Sequence, residues 1–127
     1  MGKFDWFWKA MGSTTERNNK KSKAVVANAH GLIEELSLLD DASLASAVAS
    51  TVRDGAIADK PRFLAGLSVA SQRTLGMTPF EVQNQAVLRL LEGDVIQMAT
   101  GEGKTLVGAM AATGFALQGK RVHLLSL

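Results

Sequence analysis

Seven consecutive residues, Ala99-Thr100-Gly101-Glu102-Gly103-Lys104-Thr105, hold the chemistry most directly readable in this chain. Two glycines let successive backbone N–H groups turn inward around phosphate oxygens with no Cβ in the way. Lys104 supplies a point charge for the β- and γ-phosphates of a nucleoside triphosphate, and the Thr105 hydroxyl supplies a ligand for Mg2+. Such a loop needs a strand before it and a helix after it, because the helix's first N–H groups and its dipole complete the grip. The flanks answer that need. Val95-Ile96-Gln97-Met98 is predicted as a short buried strand, and Leu106-Val107-Gly108-Ala109-Met110-Ala111-Ala112 as the opening of an apolar helix. The general phosphate-loop pattern, G-x-x-x-x-G-K-[ST], has glycine where this chain has Met98. A glycine-rich turn that merely links strand to helix is the competing reading, and Lys-Thr in register argues against it.

A second chemical group lies upstream. Phe80 and Gln83 are three residues apart and share one side of a predicted helix, a turn away from Met77. A glutamine amide carries a donor and an acceptor side by side, matching the N6 amino group and N7 of adenine. An aromatic ring or thioether beside it can pack on the base. Met77, Phe80 and Gln83 thus form a candidate adenine site ahead of the phosphate loop, favouring ATP over GTP. A solvated glutamine on an amphipathic helix is the plainer alternative.

The elements that must position these groups follow from punctuation. Residues 24–36 carry an apolar stripe through Val26, Ala29, Ile33 and Leu36, with Gly31 a soft spot. Asp40 or Asp41 can cap a second helix, expected to reach about Arg53 and stop near Gly55. Pro61 suits the first turn of a third helix bearing Phe63, Leu67, Ala70 and Leu75 and ending at Gly76. Thr78-Pro79-Phe80-Glu81 predicts a capping box, with Thr78 at the N-cap, Pro79 next and Glu81 closing it. That fourth helix should run to about Leu91, with Gly93 as its stop. A second strand is predicted over 121–127 after the Gly119-Lys120 turn. The fold class is α/β, with N-terminal helices leading into a first βαβ unit. Three segments result: a basic head and linker (1–23), a helical segment (24–76), and the incomplete start of a nucleotide-binding domain (77–127).

The head is basic and aromatic together. Residues 1–23 carry Lys3, Lys9, Arg17, Lys20, Lys21 and Lys23 against Asp5 and Glu16, within a chain whose formal net charge is +2. A basic head on a mildly acidic body suits an anionic partner surface. If residues 3–11 are helical, Phe4, Phe7, Trp8 and Met11 share one stripe. That stripe with lysines nearby can lie among lipid headgroups, or it can dock on another part of the folded protein. Gly12-Ser13-Thr14-Thr15 then opens a linker or a solvated helix start. No aromatic residue interleaves the basic run, so nucleic acid is not the expected partner. Cysteine is absent, which leaves neither disulfides nor thiolate metal sites. No apolar run has the length of a membrane span, and the start lacks the apolar core of a secretory signal. His30 and His123 receive no catalytic role.

These residues carry a resemblance. Leu75-Gly76-Met77-Thr78-Pro79-Phe80-Glu81-Val82-Gln83, followed by Glu92-Gly93-Asp94-Val95-Ile96-Gln97-Met98-Ala99-Thr100-Gly101-Glu102-Gly103-Lys104-Thr105-Leu106, resembles the N-terminal nucleotide-binding region of the SecA protein-translocase ATPases. Thr-Gly-Glu-Gly-Lys-Thr is distinctive of that family, which also places methionine at the position of Met98; the helicase-like branch of phosphate-loop proteins shares the departure. Gly119-Lys120-Arg121-Val122-His123-Leu124-Leu125 is similar to the family's following strand. The 94–100 stretch, with Phe7-Trp8 and Gly12-Ser13-Thr14, is most similar to the accessory second SecA of actinobacteria. Asn84-Gln85-Ala86 departs from the Leu-Leu-Gly-Gly of housekeeping SecA.

The resemblance implies a RecA-like, helicase-type nucleotide-binding domain that binds ATP and Mg2+. Gln83 would contact adenine, Met77 and Phe80 would pack near it, and Gly101, Glu102, Gly103, Lys104 and Thr105 would form the phosphate loop, the role of Glu102 staying open. It further implies preproteins as substrates, a SecYEG-type membrane channel as partner, anionic lipids at residues 1–12, and room for a homodimer. The implied location is the cytoplasm and the inner face of the plasma membrane. Hydrolysis in such motors also needs an acidic pair at a strand end and an arginine from a second RecA-like domain. Neither follows Thr105 in this sequence, so the chain is expected to be a fragment that binds ATP weakly and does not hydrolyse it. A superfamily-2 nucleic-acid helicase fragment shares the loop chemistry, although helicases usually put a small residue where Glu102 stands. A non-catalytic module docking through its head is the other alternative.

Overall fold

The chain has two prolines, Pro61 and Pro79, so no imide interrupts the backbone ahead of residue 61. In the computed structural model that stretch opens with one long helix, α1 (Gly2–Ser37). The structure describes the backbone of residues 2–98, 101 and 103–125, and side chains from residue 19 onward within those ranges. The linker expected from Gly12-Ser13-Thr14-Thr15 is thus part of α1. An interior glycine costs a helix only about 1 kcal/mol against alanine, too little to break it where no proline follows. The stripe of Phe4, Phe7, Trp8 and Met11 lies outside the residues with described side chains.

The second half of α1 buries Val26, Ala29 and Leu36, packing along α3 (Lys60–Leu75) and α4 (Glu81–Leu91). Between α1 and α3 lie α2 (Asp41–Ala49) and a two-residue hairpin, β1 (Val52–Arg53) with β2 (Ala56–Ile57). Asp40 caps α2, its Oδ1 accepting from the Ser43 N–H at 2.7 Å. α2 stops at Ala49, short of the expected Arg53, because the chain turns back on itself there. Asp54 and Gly55 both have positive φ (52° and 73°), the Asp-Gly signature of a tight hairpin turn. Val52 then pairs with Ile57 and Arg53 with Ala56. Thr51 closes the base: its carbonyl accepts from Ala58 N–H at 2.8 Å while its hydroxyl donates to Val48 O at 2.6 Å.

Asp59 caps α3 through Arg62 N–H at 3.1 Å, Pro61 sits in its first turn, and Gly76 ends it at φ 68°. Arg73 near that end ties three pieces together. Its guanidinium donates to Ser37 O (3.0 Å) and Leu39 O at the exit of α1, and to Asp41 Oδ1 (2.9 Å) at the entry of α2. A planar guanidinium spreads its donors in a rigid fork that reaches carbonyls and carboxylate at once, where a lysine ammonium is a compact point charge. α5 (Lys104–Leu117) packs on α4, and one continuous core runs from Val26 through Leu44, Phe63, Leu64 and Val87 to Val107 and Met110.

The structure differs from expectation at two further places. α4 begins at Glu81 with Phe80 at its N-cap, so Thr78 is not the capping residue. The Thr78 hydroxyl is turned back to Gln72 Oε1 at 2.7 Å, and the Gln83 side chain caps the helix at Phe80 N–H. The strands expected over 95–98 and 121–127 are not formed among the described residues, whose one sheet is the hairpin. A strand exists only through a neighbour's ladder of N–H and C=O groups, and neither segment has such a neighbour among the described residues. Among those residues no helix is long and apolar enough to cross a membrane.

Interior glycines give a direct test of this packing. A Cβ on Gly31 would meet nothing within 4 Å, whereas one on Gly114 would stand 2.6 Å from Leu91 Cδ2 and 3.0 Å from Phe63 Cζ. Gly31→Ala should stabilise the fold by about 0.5–1 kcal/mol. Gly114→Ala should destabilise it by about 1–3 kcal/mol through overpacking. Urea unfolding followed by circular dichroism measures both. The Asp40 cap yields a pH test. The bond from Ser43 N–H, aided by the Ser43 hydroxyl and then by Arg73, holds the Asp40 carboxyl below its ordinary value. Its folded value being the lower one, the contribution is complete above the ordinary aspartate range and is lost as pH falls through the depressed value. Asp40→Asn retains an acceptor oxygen and should remove this component from acid-unfolding curves while keeping α2.

Candidate functional site

α4 and α5 meet so that a cleft of about 500 Å3 opens between the start of each helix. Met77, Thr78, Phe80, Gln83, Gly103, Thr105 and Leu106 line it. The base-reading candidates and two residues of the phosphate loop, separated in sequence, thus share one cavity, of a size that suits a small-molecule ligand. Met77 is 49% and Phe80 73% exposed, apolar walls left open to solvent. Gln83 is buried at 5%.

Gln83 is engaged at both ends of its amide. Its Oε1 accepts from Phe80 N–H at 2.8 Å, satisfying a donor at the entry of α4. Its Nε2 donates to Gly103 O at 3.5 Å, reaching the last residue before α5. The capping interaction at this helix is therefore Gln83 back to Phe80, in place of the predicted pairing of Thr78 with Glu81. Gly103 has φ 77°, and a Cβ there would collide with Gln83 Nε2. Two independent constraints, backbone region and close approach, thus require glycine at 103. Gly101 has φ 89° and open space around it, so only the backbone region requires glycine there.

The first intrahelical bond of α5 runs from Val107 N–H to Gly103 O at 3.3 Å. The N–H groups of Lys104, Thr105 and Leu106 therefore have no acceptor within the helix, and they stand at its positive end. That arrangement favours an anion. Thr105 is exposed at the rim of the shared cleft, where its hydroxyl could ligate a Mg2+ ion carried by phosphate oxygens. Lys104 is exposed but lines an adjoining cleft of about 300 Å3 with Leu90, Ile96, Gln97, Met98, Val107 and Gly108. Successive residues project about 100° apart on a helix, which separates the two side chains. Glu102 lies outside the described residues. His30 and His123 are both exposed.

With this geometry established, likeness to known proteins becomes informative. Residues 7–127 match the family model described as SecA DEAD-like domain. The chain belongs to the SecA family. It is 58% identical over all its 127 residues to protein translocase subunit SecA 2 of Corynebacterium efficiens, covering 17% of that protein. To the SecA 2 of Corynebacterium glutamicum strain R it is 57% identical over the same span, again 17% of the relative. To that of Mycolicibacterium smegmatis it is 45% identical over 123 residues, 95% of this chain and 16% of the relative. The chain thus spans about a sixth of the length of these relatives, and the resemblance read from Thr-Gly-Glu-Gly-Lys-Thr and its flanks, down to a second SecA, agrees with them.

Three features of this SecA chain escaped the sequence reading. Thr78 and Leu106 join the cleft. The Gln83–Gly103 contact spans twenty residues and has no local signal. The hairpin at Asp54-Gly55 did have one, an Asp-Gly pair beside β-branched residues. The Gln83–Gly103 contact sets a comparison of glycines. Gly103→Ala should destabilise by about 2–3 kcal/mol, from left-handed strain plus displacement of Gln83. Gly101→Ala should cost about 1 kcal/mol, from strain only. Parallel urea unfolding curves check the difference.

Proposed function

We propose that this SecA chain binds ATP in the cleft between α4 and α5, as the nucleotide-gripping part of an ATPase that drives preproteins across the bacterial cytoplasmic membrane. The observation that carries the reading is the shared cleft of Met77, Phe80, Gln83, Gly103 and Thr105. Gln83 reads the adenine edge, Met77 and Phe80 pack on the ring, and the 101–105 loop holds the phosphates. Lys104 swings from its neighbouring cleft to meet the β- and γ-phosphates, a short move for a flexible four-carbon stem. Thr105 completes the Mg2+ shell with phosphate oxygens and water.

The same reading covers the fold around the site. Residues 95–98 and 121–125, unpaired as they stand here, would become the first two strands of a RecA-like parallel sheet once neighbouring strands of the longer protein pair with them, with 24–76 as the helical lead-in and 77–127 as the start of the domain. Three observations support this. Val95 and Leu125 are 98% and 97% exposed, apolar surface of the kind a sheet covers. Ile96 and Met98 share a cleft with Val107 and Gly108 of α5. Leu124 Cδ2 lies 3.6 Å from where a Cβ of Gly108 would be, so both segments lean on one face of α5. As parts of the whole protein's work we include a SecYEG-type channel as partner, and anionic lipid at residues 1–12 on the membrane's cytoplasmic side.

Calorimetric titration tests the site. The complete protein should bind ATP and ADP more tightly than GTP and GDP, and Gln83→Ala should erase most of that preference. Lys104→Ala should lower ATP affinity roughly 10- to 100-fold, the worth of a charge-assisted phosphate contact. It should also abolish steady-state ATP turnover, while the 127-residue chain by itself binds nucleotide without turning it over. Unchanged ATP affinity in Lys104→Ala would refute the assignment.

A further inference from the structure

We propose that Ser71 and Gln72 of α3 are positioning residues for the nucleotide base, acting through the 77–80 segment that carries Met77 and Phe80. The inference rests on the reading of the cleft as a nucleotide site and names what gives that site its base-dependent affinity.

Hydroxyls inside helices normally donate back to the carbonyl one turn earlier. Two neighbours of Ser71 do so: Ser68 Oγ donates to Leu64 O at 2.9 Å and Thr74 Oγ1 to Ala70 O at 2.8 Å. Ser71, between them and buried, does not use that acceptor. Its Oγ donates forward to Met77 O at 2.7 Å, across the end of α3. A second bond runs the opposite way, from Thr78 Oγ1 to Gln72 Oε1 at 2.7 Å. The chain reaches these bonds only because Gly76 turns it through the left-handed region at φ 68°.

The segment so held has neither helix nor strand to fix it. Burial does not fix its cleft-lining side chains either, since Met77 is 49% and Phe80 73% exposed. Its geometry therefore depends on Pro79, which is buried, on these two hydroxyl bonds at its start, and on the bond from Phe80 N–H to Gln83 Oε1 at its end. A base that stacks on Met77 and Phe80 gains from finding them already in place, because ordering them on binding would subtract from affinity. The phosphate loop is held separately, by α5 and the Gln83–Gly103 contact. Ser71 and Gln72 should then affect the base and leave the phosphates alone.

The test compares ADP with inorganic tripolyphosphate, which has phosphates and no base, by calorimetry on the complete protein. Ser71→Ala and Gln72→Met remove one bond each. Gln72 is exposed and outside the cleft, so its replacement by another good helix former leaves the fold intact. Each variant should weaken ADP about fivefold, in line with one lost hydrogen bond, and change tripolyphosphate less than twofold. Ser71→Thr keeps the hydroxyl and should restore ADP affinity. Equal weakening of both ligands, or no change in either, would overturn the proposal. A wild-type protein that holds ADP no tighter than tripolyphosphate would overturn the base-site reading, and this inference with it.

Discussion

The structure depends on the burial of one helix. From Phe63 to Val69 every residue of α3 is buried, and Ser71 is buried beyond them. A helical stretch that shows no face to water must be sheathed by others, and that requirement arranges the chain. α1 lies along one side and α2 along another, while α5 meets the Phe63 ring at Gly114. Phe63 sits at the centre, fully buried, with its ring against the glycine at 114. Gly66 plays the corresponding part toward Val48 of α2. Close approach at these glycines and the Arg73 clamp hold α3 in place, and Gly76 sets where it stops and therefore where the cleft can begin.

From that anchor the site follows in sequence order. α3 ends, Gly76 reverses the chain, and two hydroxyl bonds tie the next residues to the helix just left. α4 then starts under the Gln83 side chain, and the same side chain reaches the start of α5. One buried amide thus joins the two helix entries that frame the cleft. Its engagement with Phe80 N–H and Gly103 O means that a base reading the same amide must compete with contacts inside the protein. A nucleotide arriving at the phosphate loop and one arriving at the base pocket meet the same side chain.

Much of this was legible in the residues. Asp40, Pro61 and Gly76 announced helix ends through local chemistry, and local chemistry needs no partner. The phosphate loop announced itself through glycines whose positive φ no other residue adopts comfortably. Gly103 is the fuller case: the sequence motif asks for glycine there, and the Gln83 amide asks for it again. Other readings went astray where a non-local term decided. Thr78-Pro79-Phe80-Glu81 satisfied a capping pattern, yet Thr78 was claimed by Gln72 across the helix end, and the cap passed to Phe80 and Gln83. The hairpin over residues 52–57, by contrast, rests on a local signal, the Asp54-Gly55 turn, which the reading of a helix to Arg53 overlooked.

The sequence by itself determined the family, the glycine-framed phosphate loop, the order of helices and most of their ends. All of these rest on interactions within a few residues, which a chain carries wherever it goes. Only the tertiary structure decided that Met77, Phe80 and Gln83 share a cleft with Gly103 and Thr105, while Lys104 faces its neighbour. Only it decided that Ser71 donates to the loop instead of to its own helix. Those outcomes depend on which helix faces which, and that is set by how the buried middle of α3 can be covered, a property of the packed whole that no short stretch of sequence contains.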